Sequence, residues 1–442
     1  MEDENEVEKD IPKEEISLLN KILNSRLEEL KKGTVEVLSQ QQNPDSPLYS
    51  ADSFYSLRLK KELLDRLPEI NYLMPSNIQG TALPLLLQEP PYDLIAQSQS
   101  GTGKTATFVL TMLHKINISD MEPQCICMAP TLELAKQIGE VVSSLGKKME
   151  GLKIFYAIKD NHPTESIKSH IVIGTPGTVY KLITKIPIRL NLSNIKCFVL
   201  DEADVMVSTQ GYQTMSVLIH KKILFQSPKV QTMLFSATFE ENVKKLATAL
   251  VPNAIILSIK KELLALDNIK QYYVKCDSRE YKYMALCNLY GALTIASTII
   301  FTHTKASSDW ITYKLEERGR KVLRLHGNLT SQQRINTVKD FRDEKARVLV
   351  TTNVAARGLD FPQVTLVINY DLPLDNKGDP DFDVYYHRIG RTGRFGKFGI
   401  AINFIDSQKS MEQMLAIQSY FNKEIVSLDP ENFDEVEAIQ NS

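Results

Sequence analysis

Short runs of near-continuous apolar residues, separated by helix-length amphipathic stretches, constrain this 442-residue chain more than any other feature. Leu94-Ile95-Ala96, Ile126-Cys127-Met128, Ile171-Val172-Ile173, Phe198-Val199-Leu200 and Met233-Leu234-Phe235 are too short for helices and end at polar or glycine-bearing residues. Strands that are apolar on both faces belong inside a parallel sheet, because the helices that connect parallel strands cover both of its sides. The stretch Lys260 to Asp267 (KKELLALD) breaks the alternation and reads as a linker. Thr298-Ile299-Ile300-Phe301, Val322-Leu323-Arg324-Leu325, Val348-Leu349-Val350, Leu366-Val367-Ile368 and Ile400-Ala401-Ile402-Asn403-Phe404 then resume it. The expected fold class is α/β: two tandem parallel-sheet domains, 51–259 and 268–442, joined by residues 260–267 and preceded by an N-terminal extension, 1–50.

Within that extension the first 15 residues carry eight acids and two lysines and are expected to be disordered. A helix is expected next. Pro12 suits its first turn, Leu19, Ile22, Leu23, Leu27 and Leu30 recur at three- and four-residue spacing, and Gly33 closes it. Gln40 to Ser50 (QQQNPDSPLYS) reads as an extended linker. Hydrophobic residues at 43% and charged residues at 24% fit a globular chain with full cores. The formal net charge is only −2, so any nucleic-acid binding must come from local patches. No apolar run approaches the ~18 residues that cross a bilayer, so no membrane insertion is expected. The acidic N-terminus is unlike a signal peptide. Five cysteines without C-x-x-C, and seven scattered histidines without H-E-x-x-H, argue against a disulfide framework or a zinc enzyme.

The most specific local pattern is Ser98-Gln99-Ser100-Gly101-Thr102-Gly103-Lys104-Thr105, between an expected strand and an expected helix. It meets G-x-x-x-x-G-K-[ST] except at Ser98. Glycines at 101 and 103 bring backbone N–H groups close to phosphate oxygens, and the helix N-terminus adds positive potential. Lys104 would reach the β- and γ-phosphates, and the Thr105 hydroxyl would ligate Mg²⁺. Phe198-Val199-Leu200 runs directly into Asp201-Glu202-Ala203-Asp204. These acids alone would pass as a solvated helix cap. Downstream of a phosphate loop, Asp201 reads as the metal partner at a strand's carboxyl end and Glu202 as the base that polarises water.

Asp201 to Asp204 spell D-E-A-D, and from Phe54 to about residue 430 the chain resembles the DEAD-box RNA helicases, with that family's motifs in order. The resemblance implies RecA-like domains. Gln79, in Pro75-Ser76-Asn77-Ile78-Gln79, and the upstream Phe54 match the adenine-reading motif; Asn71-Tyr72 stands where the family usually has Gly-Phe. The resemblance assigns RNA contacts to Pro130 and Thr131 (Pro130 to Ala135), to Thr175 and Gly177 (Thr175 to Thr178), to Arg334 after Gln333, and to Thr352. Leu132 and Thr178 replace the family's arginines, and Asn353 replaces an aspartate found in many relatives. Gly358 and Asp360 would approach ATP. His387 to Arg394 match H-R-I-G-R-T-G-R; the family casts Arg391 and Arg394 as fingers on the γ-phosphate and His387 as a domain-coupling residue. Thr238, in Ser236-Ala237-Thr238, would couple hydrolysis to closure.

AQSQSGTGKT, Leu132, Thr178, Asn353, SPLYS and Asn376 to Asp383 (NKGDPDFD) resemble the branch that drives messenger-RNA export at the cytoplasmic face of the nuclear pore. That likeness implies an ATP-dependent helicase acting on RNA without sequence preference, and a monomer in cytoplasm and nucleus. It further implies a nucleoporin on the first domain, a pore-tethered export factor with inositol hexakisphosphate on the second, and an N-terminal helix that opposes closure. The rival readings are an ATP-gated, non-catalytic RNA clamp, a DEAD-box helicase of another pathway such as translation, and a DNA motor.

Overall fold

The computed structural model describes residues 35–38, 51–97, 102–209, 211–238, 241–259, 268–293, 297–355, 359–375, 377–393 and 398–441. The expected N-terminal helix, the linker at 40–50 and the stretch 260–267 lie outside the described residues.

Eight strands of the first half form one sheet: β1 (Val35–Leu38), β2 (Leu94–Gln97), β3 (Cys125–Met128), β4 (Ile154–Ala157), β5 (Ile171–Gly174), β6 (Cys197–Leu200), β7 (Gln231–Ser236) and β8 (Ile255–Ile259). Their order is β1-β8-β2-β7-β6-β3-β5-β4, and every pairing is parallel except that of β1 with β8. Successive strand residues face opposite sides of a sheet. Leu94, Ala96, Cys125, Cys127, Val199 and Phe235 accordingly meet the helices Lys104–Lys115 and Leu132–Leu145 in one core. Ile95, Ile126, Met128, Phe198, Leu200 and Leu234 meet the helices Pro176–Thr184, Tyr212–Gln226 and Glu241–Leu250 in the other. Each large side chain so buried contributes about 1.5–3 kcal/mol, which is why the strands need apolar residues at every position.

The second half repeats the plan with β9 (Ile269–Lys275), β10 (Thr298–Phe301), β11 (Val322–Leu325), β12 (Val348–Thr351), β13 (Leu366–Asn369), β14 (Gly399–Ile405) and β15 (Val426–Ser427). They form an all-parallel sheet in the order β11-β12-β10-β13-β14-β9-β15. The architecture is the expected one, two RecA-like parallel sheets in tandem.

Five strands have no counterpart among the apolar runs. β4 and β9 are half exposed, and β9 carries Lys270 and Gln271, so neither reads as a continuous apolar run. β8 abuts residue 260, and β15 is two residues long. β1 lies in the N-terminal extension, between the expected helix, closed at Gly33, and the expected linker from Gln40, and is defined by the backbone register Val35↔Ile259 to Leu38↔Ile256. In both sheets the carboxyl ends of the parallel strands lie on one edge, the edge at which ligands bind in open α/β sheets.

Candidate nucleotide and RNA site

β2 leads into the phosphate loop, of which Ser98, Gln99, Ser100 and Gly101 lie outside the described residues. Thr102 and Gly103 bring the chain to Lys104, the first residue of its helix. Gly103 has φ +102°, and a Cβ there would sit 2.6 Å from Gln79 Nε2 and 2.9 Å from Ser76 Oγ. Both the handedness and the space therefore require glycine. Gln79, 3% exposed, donates from Nε2 to the Gly103 carbonyl (3.3 Å) and accepts the Ser76 N–H at Oε1 (2.9 Å). That second bond completes a capping box on the helix Asn77–Leu87. The glutamine expected to read adenine is thus fastened to the end of the phosphate loop. Phe54, the expected adenine-stacking residue, is buried in the first core. Asn71 has φ +60°, which explains the lost glycine: asparagine is among the residues that best tolerate this backbone region.

β6 delivers the carboxylates. Glu202 caps the helix Ala203–Ser208 with φ +52° and ψ +57°, a left-handed conformation that costs about 1–2 kcal/mol outside glycine. The turn lets Asp201 Oδ1 accept the Glu202 N–H (3.0 Å) and buries both side chains at the sheet edge. Burial first, and then the neighbouring Glu202 charge, push the Asp201 carboxyl up to about 7, with Lys104 opposing. Glu202 Oε2 is buried with no hydrogen-bond partner among the described residues. Carboxylates this dehydrated suit a hard divalent cation, so Asp201 fits Mg²⁺, and Thr105, in the first turn of the helix Lys104–Lys115, supplies a hydroxyl of the kind such a cation takes. Below pH 7 a proton on Asp201 competes with the cation. Cation-dependent nucleotide affinity should therefore fall by up to about tenfold per pH unit below 7. Fluorescent-nucleotide titrations across neutral pH check this, with Asp201→Asn expected to flatten the slope.

The second sheet faces this edge. His387 Nε2 lies 2.7 Å from Asp204 Oδ2, and both side chains are buried. Ligand atoms of Glu202, Asp204 and His387 fall within 4.8 Å of one another. The His387–Asp204 bond spans the two lobes, consistent with a coupling role for the histidine. Arg391, 1% exposed, donates from Nε to the His387 carbonyl (3.0 Å) and from Nη1 to the Leu359 carbonyl. It therefore lies beside the residue that touches the D-E-A-D turn. Arg394 and Gly358 lie outside the described residues. Thr238 Oγ1 donates to Asp383 Oδ2 across the lobes at 3.4 Å.

Sequence reading missed a second seam. Glu133, Gln137 and Glu140 recur at i, i+4 and i+7 and so share one face of the helix Leu132–Leu145. Arg334 Nε and Nη2 donate to Glu133 Oε1 and Oε2 at 2.5 and 2.7 Å. Arg342 Nη1 meets Glu140 Oε2 at 2.5 Å, and the Asp360 N–H donates to Gln137 Oε1 at 3.1 Å. Polar residues recurring at helical spacing were the available signal. Arg334, expected on RNA phosphate, here holds the first lobe's buried Glu133. Arg334→Ala would leave that carboxylate buried without its partner, a loss of about 3–5 kcal/mol. The RNA concentration for half-maximal ATPase should rise more than tenfold, and adding Glu133→Gln should recover part of the loss. An RNA titration of ATPase in the single and double variants checks both.

The remaining expected RNA residues sit at strand carboxyl ends. Pro130 and Thr131 follow β3, and Thr131 Oγ1 caps its helix by accepting the Leu134 N–H at 3.3 Å. Thr175 follows β5 and caps the helix Pro176–Thr184, with Gly177 in its first turn and the Thr175 and Thr178 hydroxyls 3.3 Å apart. Thr352 follows β12 in the other lobe. Helix N-termini present N–H groups to phosphates without reading bases.

Residues 76–246 match the family model for the DEAD/DEAH box helicase, and residues 281–396 that for the helicase conserved C-terminal domain. The chain is 50% identical over 427 residues to the human ATP-dependent RNA helicase DDX19A, covering 96% of this chain and 88% of that one. Among solved structures it is similar to Saccharomyces cerevisiae Dbp5 bound to RNA and ADP-BeF3 (TM-score 0.83, 44% identity, 88% of this chain and 99% of that one). It is also similar to a point variant of the same Dbp5 bound to Nup159, a point variant of Gle1, IP6 and ADP (TM-score 0.62, 42% identity, 87% and 98%). With the phosphate-loop lysine, the D-E-A-D turn and the His387–Arg391 segment meeting between two RecA-like lobes, the chain belongs to the DEAD/DEAH box helicase family.

Proposed function

We propose that this chain is an RNA-dependent ATPase and RNA helicase that remodels RNA–protein complexes during messenger-RNA export. The observation that carries this reading is the His387–Asp204 contact, which brings the Arg391 segment of one lobe to the acidic turn of the other. In this reading Phe54 and Gln79 serve the adenine, and residues Ser98 to Thr105 cradle the phosphates, with Lys104 on the β- and γ-oxygens. Thr105 and Asp201 would hold Mg²⁺, which when bound neutralises charge on those oxygens. Glu202 polarises the attacking water. Arg391 and Arg394 pair with the γ-phosphate through planar forks that stay charged. Gly358 and Asp360 approach the nucleotide from the second lobe. RNA lies along Pro130, Thr131, Thr175, Gly177 and Thr352, with Arg334 at the seam. Each ligand adds contacts only in the closed arrangement, so ATP and RNA bind cooperatively, and hydrolysis releases RNA.

Residues 51–259 and 268–442 act as the two lobes, with 260–267 between them. The Dbp5 complex with Nup159, Gle1 and IP6 supports a nucleoporin and an export factor with inositol hexakisphosphate as partners. In this reading the nucleoporin binds the first lobe and the export factor the second, at the cytoplasmic face of the nuclear pore. The extension 1–50 is regulatory and opposes closure. Its strand β1 pairs with β8 at Ile259, next to residue 260, which favours that role. The test is ATP turnover by the full chain with and without single-stranded RNA, alongside single-stranded DNA. Strong stimulation by RNA alone is expected, and RNA-indifferent turnover would overturn the reading.

A further inference from the structure

Beneath the Arg391 segment lies a buried cation that the proposed chemistry does not use. Arg388 is 0% exposed. Its Nε and Nη2 both donate to Asn353 Oδ1, at 3.0 and 2.6 Å. Its Nη1 donates to Asn369 Oδ1 (3.0 Å) and to the Asp371 carbonyl (2.7 Å), and its guanidinium covers the Phe301 ring at 4.9 Å. All four hydrogen bonds end on neutral oxygens. Burial pushes the guanidinium down to about 9, with Asp371 and Asp381 opposing. The acceptors extend into a buried network. Asn369 Nδ2 donates to Asn403 Oδ1 (2.8 Å), Asn403 Nδ2 to the Tyr385 hydroxyl (3.1 Å), and that hydroxyl to Gln271 Oε1 (2.7 Å).

Besides the helix Ser331–Arg342, whose Arg334 and Arg342 hold Glu133 and Glu140, two segments of the second lobe reach the first. The helix Phe382–Ile389 carries His387, and residues 359–360 carry the Asp360 N–H and the Leu359 carbonyl that holds Arg391. Asn353 lies a few residues before the second segment, and Arg388 lies on the first. We infer that the Asn353–Arg388 pair is a positioning joint that keeps these two closing segments in register, so that the nucleotide-side and RNA-side contacts form together. An amide at 353 supplies the acceptor without a counter-charge. The joint is therefore weaker than a buried ion pair, and the lobe can release its register when the clamp opens.

This inference rests on the ATPase reading above, and RNA-stimulated turnover by the wild-type chain establishes that reading separately. The test compares Asn353→Ala and Asn353→Asp, with Arg388→Lys as a variant that keeps the charge but loses the fork. RNA-stimulated kcat and the RNA half-saturation are measured beside thermal unfolding and fluorescent-ADP affinity. Asn353→Ala should raise the RNA half-saturation about tenfold, the loss expected for a hydrogen bond to a charged group, while ADP affinity holds. Asn353→Asp should bring the half-saturation to or below the wild-type value and lower kcat by slowing reopening. Arg388→Lys should resemble Asn353→Ala. The joint fails if Asn353→Ala keeps the wild-type half-saturation. It fails equally if all three variants lose kcat, ADP affinity and melting temperature in parallel with no recovery in Asn353→Asp. A wild type indifferent to RNA would remove the ATPase reading, and the joint with it.

Discussion

Arg391→Ala is expected to cut RNA-stimulated ATP turnover by about 10³–10⁵-fold while leaving nucleotide binding to the first lobe intact. The separation follows from geometry. The Arg391 guanidinium belongs to the second lobe, anchored on the carbonyls of His387 and Leu359, beside the His387 side chain that reaches Asp204. Binding energy from Lys104 and the phosphate loop therefore survives its removal, and only the contact made on closure is lost. Arg391→Lys should recover little, because a point charge cannot reproduce the fork that holds two carbonyls. Single-turnover hydrolysis beside equilibrium nucleotide binding measures both quantities. A variant that hydrolyses ATP at near-wild-type rate would remove Arg391 from the chemistry.

Glu202→Gln should lower turnover by about 10²–10⁴-fold, the usual worth of a positioned base, while ATP and RNA stay bound. Glutamine keeps the length and shape of the side chain at a turn already in the left-handed region. It removes the negative charge that helps raise the Asp201 carboxyl, so the pH below which cation binding weakens should move to lower values. Persistent RNA retention with ATP, read by filter binding beside phosphate release, is the expected signature. Phosphate release at wild-type rate would exclude Glu202 as the base.

The legibility of this chain varied with burial. Central strands such as β3, β5 and β6 were readable because helices cover both faces, which demands apolar residues at every position. The half-exposed β4 and β9 were not, since one wet face breaks the apolar run. Within the site, Lys104, Asp201 and Glu202 announce themselves through motif and strand context. Glu133, Gln137 and Glu140 do not, because a polar stripe on a helix looks the same whether it faces water or Arg334 and Arg342. Gln79 was read for its hydrogen-bonding edges, yet its place against the Gly103 carbonyl depends on two helices meeting.

Composition, periodicity and local chemistry by themselves determined the two α/β halves, the phosphate loop and the acidic turn, because each depends on residues close in sequence. Only the tertiary structure decided which distant groups meet: Arg334 with Glu133 and His387 with Asp204 across the lobes, and Arg388 with Asn353 within the second lobe. These partners are separated by 201, 183 and 35 residues. A charge carries no record in sequence of the distant charge or amide that neutralises or accepts it, and burial of the ion at a closed interface is what makes that choice matter.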